Sequence, residues 1–225
     1  NRALPCPRFN SVINFQNYDG NSPLHLAAVE GQLDIVKSLV TAGAYVNLPN
    51  LDGLTPLHAA IQAGRADIAQ FLILNGIFIN QQDIEGDTPL HWAIRHGQYQ
   101  MLNLLLDQGA AFDVKNSDAE TPLLLAASIN DEMMVRLLIT KVSVHREDRG
   151  CSLRVLICIF QGTNVEVQDK QGLNALHWAA MLQNENMAKL LLEAFSARRR
   201  QFILAKDKYG SSALDLAYVS IIVTY

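Results

Sequence analysis

The chain has 225 residues, 49% of them hydrophobic and 18% charged, with a formal net charge of −4. That apolar content is enough to bury a core and excludes a disordered chain. The negative balance excludes a nucleic-acid surface built on clustered Lys and Arg. The three cysteines, Cys6, Cys151 and Cys158, show no metal-ligand spacing and no disulfide framework, which points to a reducing compartment, cytoplasmic or nuclear. No run of about 20 apolar residues is present to span a membrane, and no leader segment is visible. The chain opens on Asn1 rather than Met and reads as a fragment.

Residues 1–11 carry no pattern and are expected to be a disordered tail. From residue 12 the chain repeats itself. Gly20, Gly53 and Gly86 lie 33 residues apart, and Ala119 takes the next slot. Two residues after each comes a block: Ser22-Pro23-Leu24-His25, Thr55-Pro56-Leu57-His58, Thr88-Pro89-Leu90-His91 and Thr121-Pro122-Leu123-Leu124. Weaker copies are Asn174-Ala175-Leu176-His177 and Ser212-Ala213-Leu214-Asp215. Ser or Thr before Pro is a helix start, because the hydroxyl caps an orphan N–H and Pro lacks one. Small residues such as Ala27-Ala28 permit close packing on the next repeat. Gly31, Gly64 and Gly97 end the first helix in a left-handed turn. A second amphipathic helix follows, for example Leu33 to Thr41. The turn-rich stretch from Val46-Asn47 to Asp52-Gly53 is expected as a β-hairpin finger.

These recurring positions resemble ankyrin repeats over roughly residues 12 to 218. The resemblance implies an all-α repeat solenoid of helix–loop–helix units, each with a β-hairpin finger, in about five full repeats and a truncated sixth. It also implies that His25, His58, His91 and His177 bond backbone groups and brace neighbouring fingers. Repeats one to four, with a preceding finger, are assigned to 12–141, and the end of repeat four, repeat five and a partial repeat six to 162–218. Residues 219–225 form a non-repeat tail.

Between Ala119 and Gly172 the period runs 20 residues long, and removing 142–161 restores it. Two readings fit. One is a native surface-loop insertion. The other is a translated intron, whose donor would encode Val142-Ser143 and whose acceptor would encode Phe160-Gln161; the edges favour the second. The step from repeat five to six is five residues too long, a surplus placed within Phe195 to Ala205 as a longer second helix or loop.

No catalytic constellation, cofactor motif or metal-ligand set emerges, so the chain is read as a non-enzyme that binds another protein. The resemblance places the binding groove on finger residues and first-helix ends. The positions selected are Tyr18 and Asn21 in the first repeat, then Leu51, Asp52, Leu54 and Gln62. The third repeat adds Ile84, Glu85, Asp87, Arg95 and His96, and the fourth Asp118 and Glu120. Leu51, Leu54 and Ile84 are expected as exposed anchors with an acidic rim, fitting a partner segment with apolar anchors and basic flanks. The resemblance further marks Asn47 and Asn80 as candidates for asparaginyl hydroxylation. The alternative function is a regulatory or substrate-recruiting arm of a larger enzyme. Its basis is the pairs His91-Trp92 and His177-Trp178, similar to the ankyrin arm of DHHC-type palmitoyltransferases, although no Asp-His-His-Cys motif occurs.

Overall fold

The computed structural model describes residues 12–144 and 167–217. The expectations for residues 1–11, for 145–161 and for 219–225 lie outside the described residues. The chain divides into two units, Asn1–Ala110 and Ala111–Tyr225.

The first unit contains three helix pairs: α1 Pro23–Glu30 with α2 Leu33–Thr41, α3 Pro56–Gln62 with α4 Ala66–Leu74, and α5 Pro89–Arg95 with α6 Tyr99–Asp107. Ser22, Thr55 and Thr88 hold extended backbone at the N-cap with Pro at the first helical position, as the sequence block predicts. First helices stack on first helices, α1 on α3 and α3 on α5, while α2 packs on α4 and α4 on α6. The core follows from this order. Leu24, Leu57 and Leu90 are buried with Ala28, Ala60 and Ala93, and the alanines leave room for the next helix. The second helices contribute Val36, Ile68, Leu72, Leu102 and Leu105 from one face.

The second unit contains α7 Pro122–Ser128, α8 Glu132–Val144, α9 Ala175–Met181 and α10 Glu185–Ala194. There α7 packs on α9 and α8 on α10. Helix α8 has 13 residues where α2 has 9, so it continues past residue 142, the expected edge of the insert.

The surplus before the last repeat is neither a longer helix nor an open loop. After α10 the chain makes a 3-10 turn, Ser196–Arg198, and a separate helix, α11 Arg199–Leu204. Phe195 and Phe202 are buried and meet edge to face with ring centroids 5.5 Å apart. Two aromatic rings in contact make this short helix stable against the second helix of repeat five. A last helical segment spans 213–217.

Among the described residues there is no β-strand; each finger is a tight turn closed by one main-chain bond, as from Asn17 N–H to the Asn21 carbonyl and from Asn50 N–H to the Leu54 carbonyl. The cause is local. Each finger folds around an Asn or Asp side chain that accepts N–H groups of its own turn, and neighbouring fingers within a unit are joined by single main-chain bonds, as described next.

Candidate partner-binding surface

Each finger starts on an Asn or Asp whose Oδ1 accepts two backbone N–H groups, two and four residues on. Asn17 holds Asp19 and Asn21, Asn50 holds Asp52 and Leu54, and Asp83 holds Glu85 and Asp87. Asn116, Asp169 and Asp207 do the same in the second unit. Short polar side chains favour such turns because they reach their own backbone. The fourth finger residue is left-handed, with φ of 78° at Gly20 and 76° at Gly53. A Cβ at Gly20 would lie 2.6 Å from the Leu51 nitrogen, so glycine is required by space as well as by backbone angle.

That close approach ties finger to finger. Leu51 N–H donates to the Asp19 carbonyl at 3.1 Å and Ile84 N–H to the Asp52 carbonyl at 3.1 Å. In the second unit Lys170 N–H donates to Asp118 and Lys208 N–H to Gln171.

The histidines add a second tie. The N–H groups of Ser22, Thr55, Thr88 and Asn174 donate to Nδ1 of His25, His58, His91 and His177. An accepting Nδ1 puts the proton on Nε2. His25 Nε2 then donates to the Leu54 carbonyl at 2.9 Å and His177 Nε2 to the Ser211 carbonyl at 3.3 Å. His58 Nε2 is buried against the Asp87 backbone without a bond of good geometry. Burial lowers the pKa of His25 and His177 and pushes His58 down to about 4, because charging a ring cut off from water is costly. Among the described residues no His, Cys, Asp or Glu cluster fits a metal ion.

With the fingers fixed, the outward residues can be placed. Tyr18, Leu51 and Ile84 occupy the same finger position in three successive repeats and are 101%, 70% and 69% exposed. The next residue in each is an exposed carboxylate, Asp19, Asp52 or Glu85. Gln62, Arg95 and His96 are exposed at first-helix ends, and His96 lies on Trp92 with ring centroids 5.3 Å apart. Asn21 is half-buried and its Oδ1 accepts from Asn50 Nδ2 at 3.0 Å.

Three selected residues, Asp87, Leu54 and Glu120, sit differently from expectation. Asp87 is 1% exposed and pairs with Arg95 Nε at 2.6 Å, so it is not part of an exposed acidic rim. The residue following a finger glycine turns inward toward the helix start, where burial requires a partner. Leu54, at that same position, is half-buried rather than exposed. In the second unit Asp118 is exposed and lies 3.6 Å from Lys170 Nζ, while Glu120 is half-buried and accepts from Asn116 Nδ2 at 3.3 Å. The second unit's finger tips carry Ser117, Lys170 and Lys208 where the first unit carries Tyr18, Leu51 and Ile84.

Asn47 is a bridge between repeats. Its Oδ1 accepts from Phe78 N–H at 2.6 Å and its Nδ2 donates to the Gly76 carbonyl at 3.2 Å. Asn14 accepts from Tyr45 N–H in the same way one repeat earlier. Asn80, at the matching position, is exposed. Sequence reasoning missed the two indole bonds, Trp92 Nε1 to Asp83 Oδ2 and Trp178 Nε1 to Asp169 Oδ2. The signal was present: each Trp lies nine residues after a finger Asp.

Comparison with known families agrees with this architecture. A family profile described as ankyrin repeats in three copies matches residues 46–116 and 142–221, and a single ankyrin repeat matches residues 19–51. Together they cover more than half of the chain, which therefore belongs to the ankyrin-repeat family. No curated protein matches it. Ankyrin repeats are generally protein–protein interaction modules and typically non-enzymatic. Among the described residues no helix is long and apolar enough to cross a membrane.

Proposed function

We propose that the finger row of the first unit is where this protein holds another protein. The observation that carries the reading is the register of Tyr18, Leu51 and Ile84. Each is exposed, each occupies the same place in its repeat, and none is needed for the finger to fold. Exposed apolar side chains in an ordered row mark interaction surfaces, because a soluble fold otherwise has no reason to align them. Aromatic and aliphatic anchors of this kind supply most of the energy at protein interfaces.

The flanking Asp19, Asp52 and Glu85 make the row acidic, so the favoured partner segment carries Lys or Arg beside its apolar anchors. Charge complementarity of this sort speeds encounter and fixes register. Gln62, Arg95 and His96 extend the surface along the first-helix ends.

The test is a random-peptide display selection on the full chain, with the double variant Leu51→Asp, Ile84→Asp as counter-target. Selected peptides should bind the parent and lose about 2 kcal/mol or more on the variant, while the variant keeps the parent's thermal midpoint. Peptides that bind both proteins equally would place the surface elsewhere.

A further inference from the structure

We infer that Asn75-Gly76, the turn that closes helix α4, is a site of spontaneous conversion of asparagine to isoaspartate. The product loosens the joint between the first two repeats by displacing the Gly76 carbonyl from Asn47.

The chemistry is ring closure on the chain itself. The Gly76 nitrogen gives up its proton and attacks Cγ of Asn75. A C–N bond forms, the Cγ–Nδ2 bond breaks, and the amide nitrogen leaves with a proton as ammonia. Water then opens the five-membered imide. Attack at Cγ leaves aspartate on an ordinary backbone. Attack at the main-chain carbonyl carbon leaves isoaspartate, whose backbone runs through Cγ and is one carbon longer. The net change is one water consumed and one ammonia released. Glycine on the far side favours closure, because no Cβ shields its nitrogen and its backbone angles are free.

These conditions meet at one turn. Asn75-Gly76 is the one Asn-Gly step in the chain, and both residues are exposed. The matching turns of the neighbouring repeats are Ala42-Gly43 and Gln108-Gly109. Alanine has no amide to attack, and glutamine would have to close a larger and slower ring. Gly76 N–H donates to the Ile73 carbonyl at 3.3 Å, while Gly43 and Gly109 make the same bond at 3.0 Å. A Cβ at Gly76, where φ is 84°, would meet no atom within 4 Å, so the turn has room to rotate. Asn75 has ψ of 23° and its Nδ2 donates to the Phe71 carbonyl at 2.7 Å. Closure therefore waits on opening of the last helical turn, and exposed bonds at a helix end are the first to open. The Asn-Ser steps at Asn21 and Asn116 are held more firmly. Asn21 is half-buried and accepts from Asn50, and buried Asn116 accepts two backbone N–H groups.

The damage reaches the next repeat through Asn47. Its Nδ2 donates to the Gly76 carbonyl and its Oδ1 accepts from Phe78 N–H. An extra backbone carbon just before Gly76 moves one of these partners against the other. The new carboxylate also sits at the C-terminal end of α4, where the helix dipole disfavours negative charge.

The experiment ages the full chain at neutral pH and follows each asparagine by peptide mapping. Exchange of NH₂ for OH should accumulate at residue 75 ahead of Asn21 and Asn116, faster as pH is raised, and Asn75→Gln should stay unmodified. The isoaspartyl fraction is then isolated and melted beside fresh Asn75→Asp, which carries the same charge on an ordinary backbone. It should melt lower, and the gap should close when both carry Asn47→Ala. Conversion at residue 75 no faster than at Asn21 or Asn116 would show that the fold seals the turn and would overturn the inference. Equal midpoints, or a gap that persists without the Asn47 amide, would overturn the coupling to the first repeat.

Discussion

The indole Nε1 of Trp92 donates to Oδ2 of Asp83 at 2.8 Å, while Oδ1 of the same carboxylate accepts the Glu85 and Asp87 N–H groups. Trp178 and Asp169 repeat the arrangement at 3.2 Å. Where the finger residue is Asn, at 17, 50 and 116, the residue nine positions on is Leu26, Ala59 or Leu125, and Asp207 has Leu216 there, so a Trp is found only with Asp but not with every Asp. The physics explains the pairing. An Asn must spend its oxygen on the backbone, leaving its NH₂ to face the indole N–H, donor against donor. Asp83→Asn should therefore cost about 1–3 kcal/mol. In the background of Trp92→Leu it should cost much less. A urea-denaturation cycle over the two sites checks this; additive costs would show that the bond contributes nothing.

The buried histidines set an acid limit on stability. His58 is held neutral in the folded chain, with its pKa pushed down to about 4 by burial, while an unfolded histidine titrates near 6.5. Between those values the unfolded chain binds the extra proton, so stability falls as pH drops through that window and is retained above it. His58 alone accounts for about 3 kcal/mol of loss by pH 4, and the lowered His25 and His177 act in the same direction. Proton-detected titration should show the His58 ring unchanged from pH 7 to pH 5. A ring that titrates near 6.5 in the folded protein would refute the burial argument.

Ala119 occupies the finger position that glycine holds in neighbouring repeats, with φ of 62°. A Cβ in that region clashes with its own carbonyl at a cost of about 1–2 kcal/mol. Glycine loses more freedom on folding, which offsets part of the relief. Ala119→Gly should raise stability by roughly 0.5–1 kcal/mol, read as a higher urea midpoint with unchanged slope.

Carboxylates of the third and second fingers should respond oppositely to removal. Asp87 is buried against Arg95, so Asp87→Ala removes a charge-assisted hydrogen bond and costs about 1.5–3 kcal/mol. Asp52 is exposed, and Asp52→Ala should stay within about 0.5 kcal/mol while weakening partner binding. Parallel thermal melts and binding titrations on the two variants separate structural from recognition carboxylates.

Asn47 stitches two repeats with both ends of its amide. Asn47→Ala should cost about 1–2 kcal/mol, the net value of two bonds. Mass spectrometry of the protein from animal cells checks hydroxylation at Asn47 and Asn80. One added oxygen on either residue would mark the modification.

Much of the fold was legible because the repeat forces the same problem to be solved several times. Thr-Pro at 55–56 and 88–89 placed helix starts, and Gly31, Gly64 and Gly97 placed their ends, since both are local backbone rules. The finger was expected as a hairpin because Val46 and Asn47 suggest strand and turn, and the described residues show its closed turn without a strand. The deciding contacts are side-chain to backbone within the finger, which a strand pattern does not encode. Asp87 and Leu54 were misplaced for a related reason: one residue past the glycine, the chain turns inward, and exposure changes within a single step. Phe202 folding onto Phe195 depends on a contact across a connector with no counterpart in other repeats, so periodicity had nothing to say about it.

The finger turn separates holding from showing. Oxygen at the first residue, N–H groups at the third and fifth, and the left-handed fourth fix the backbone, while the second residue lends only its N–H to the neighbour. Tyr18, Leu51, Ile84, Lys170 and Lys208 all sit there on nearly the same frame. Any amino acid except proline keeps that N–H. Side chains can therefore vary at the second position without disturbing the frame, and proline at residues 51, 84, 170 or 208 is the one substitution the frame forbids.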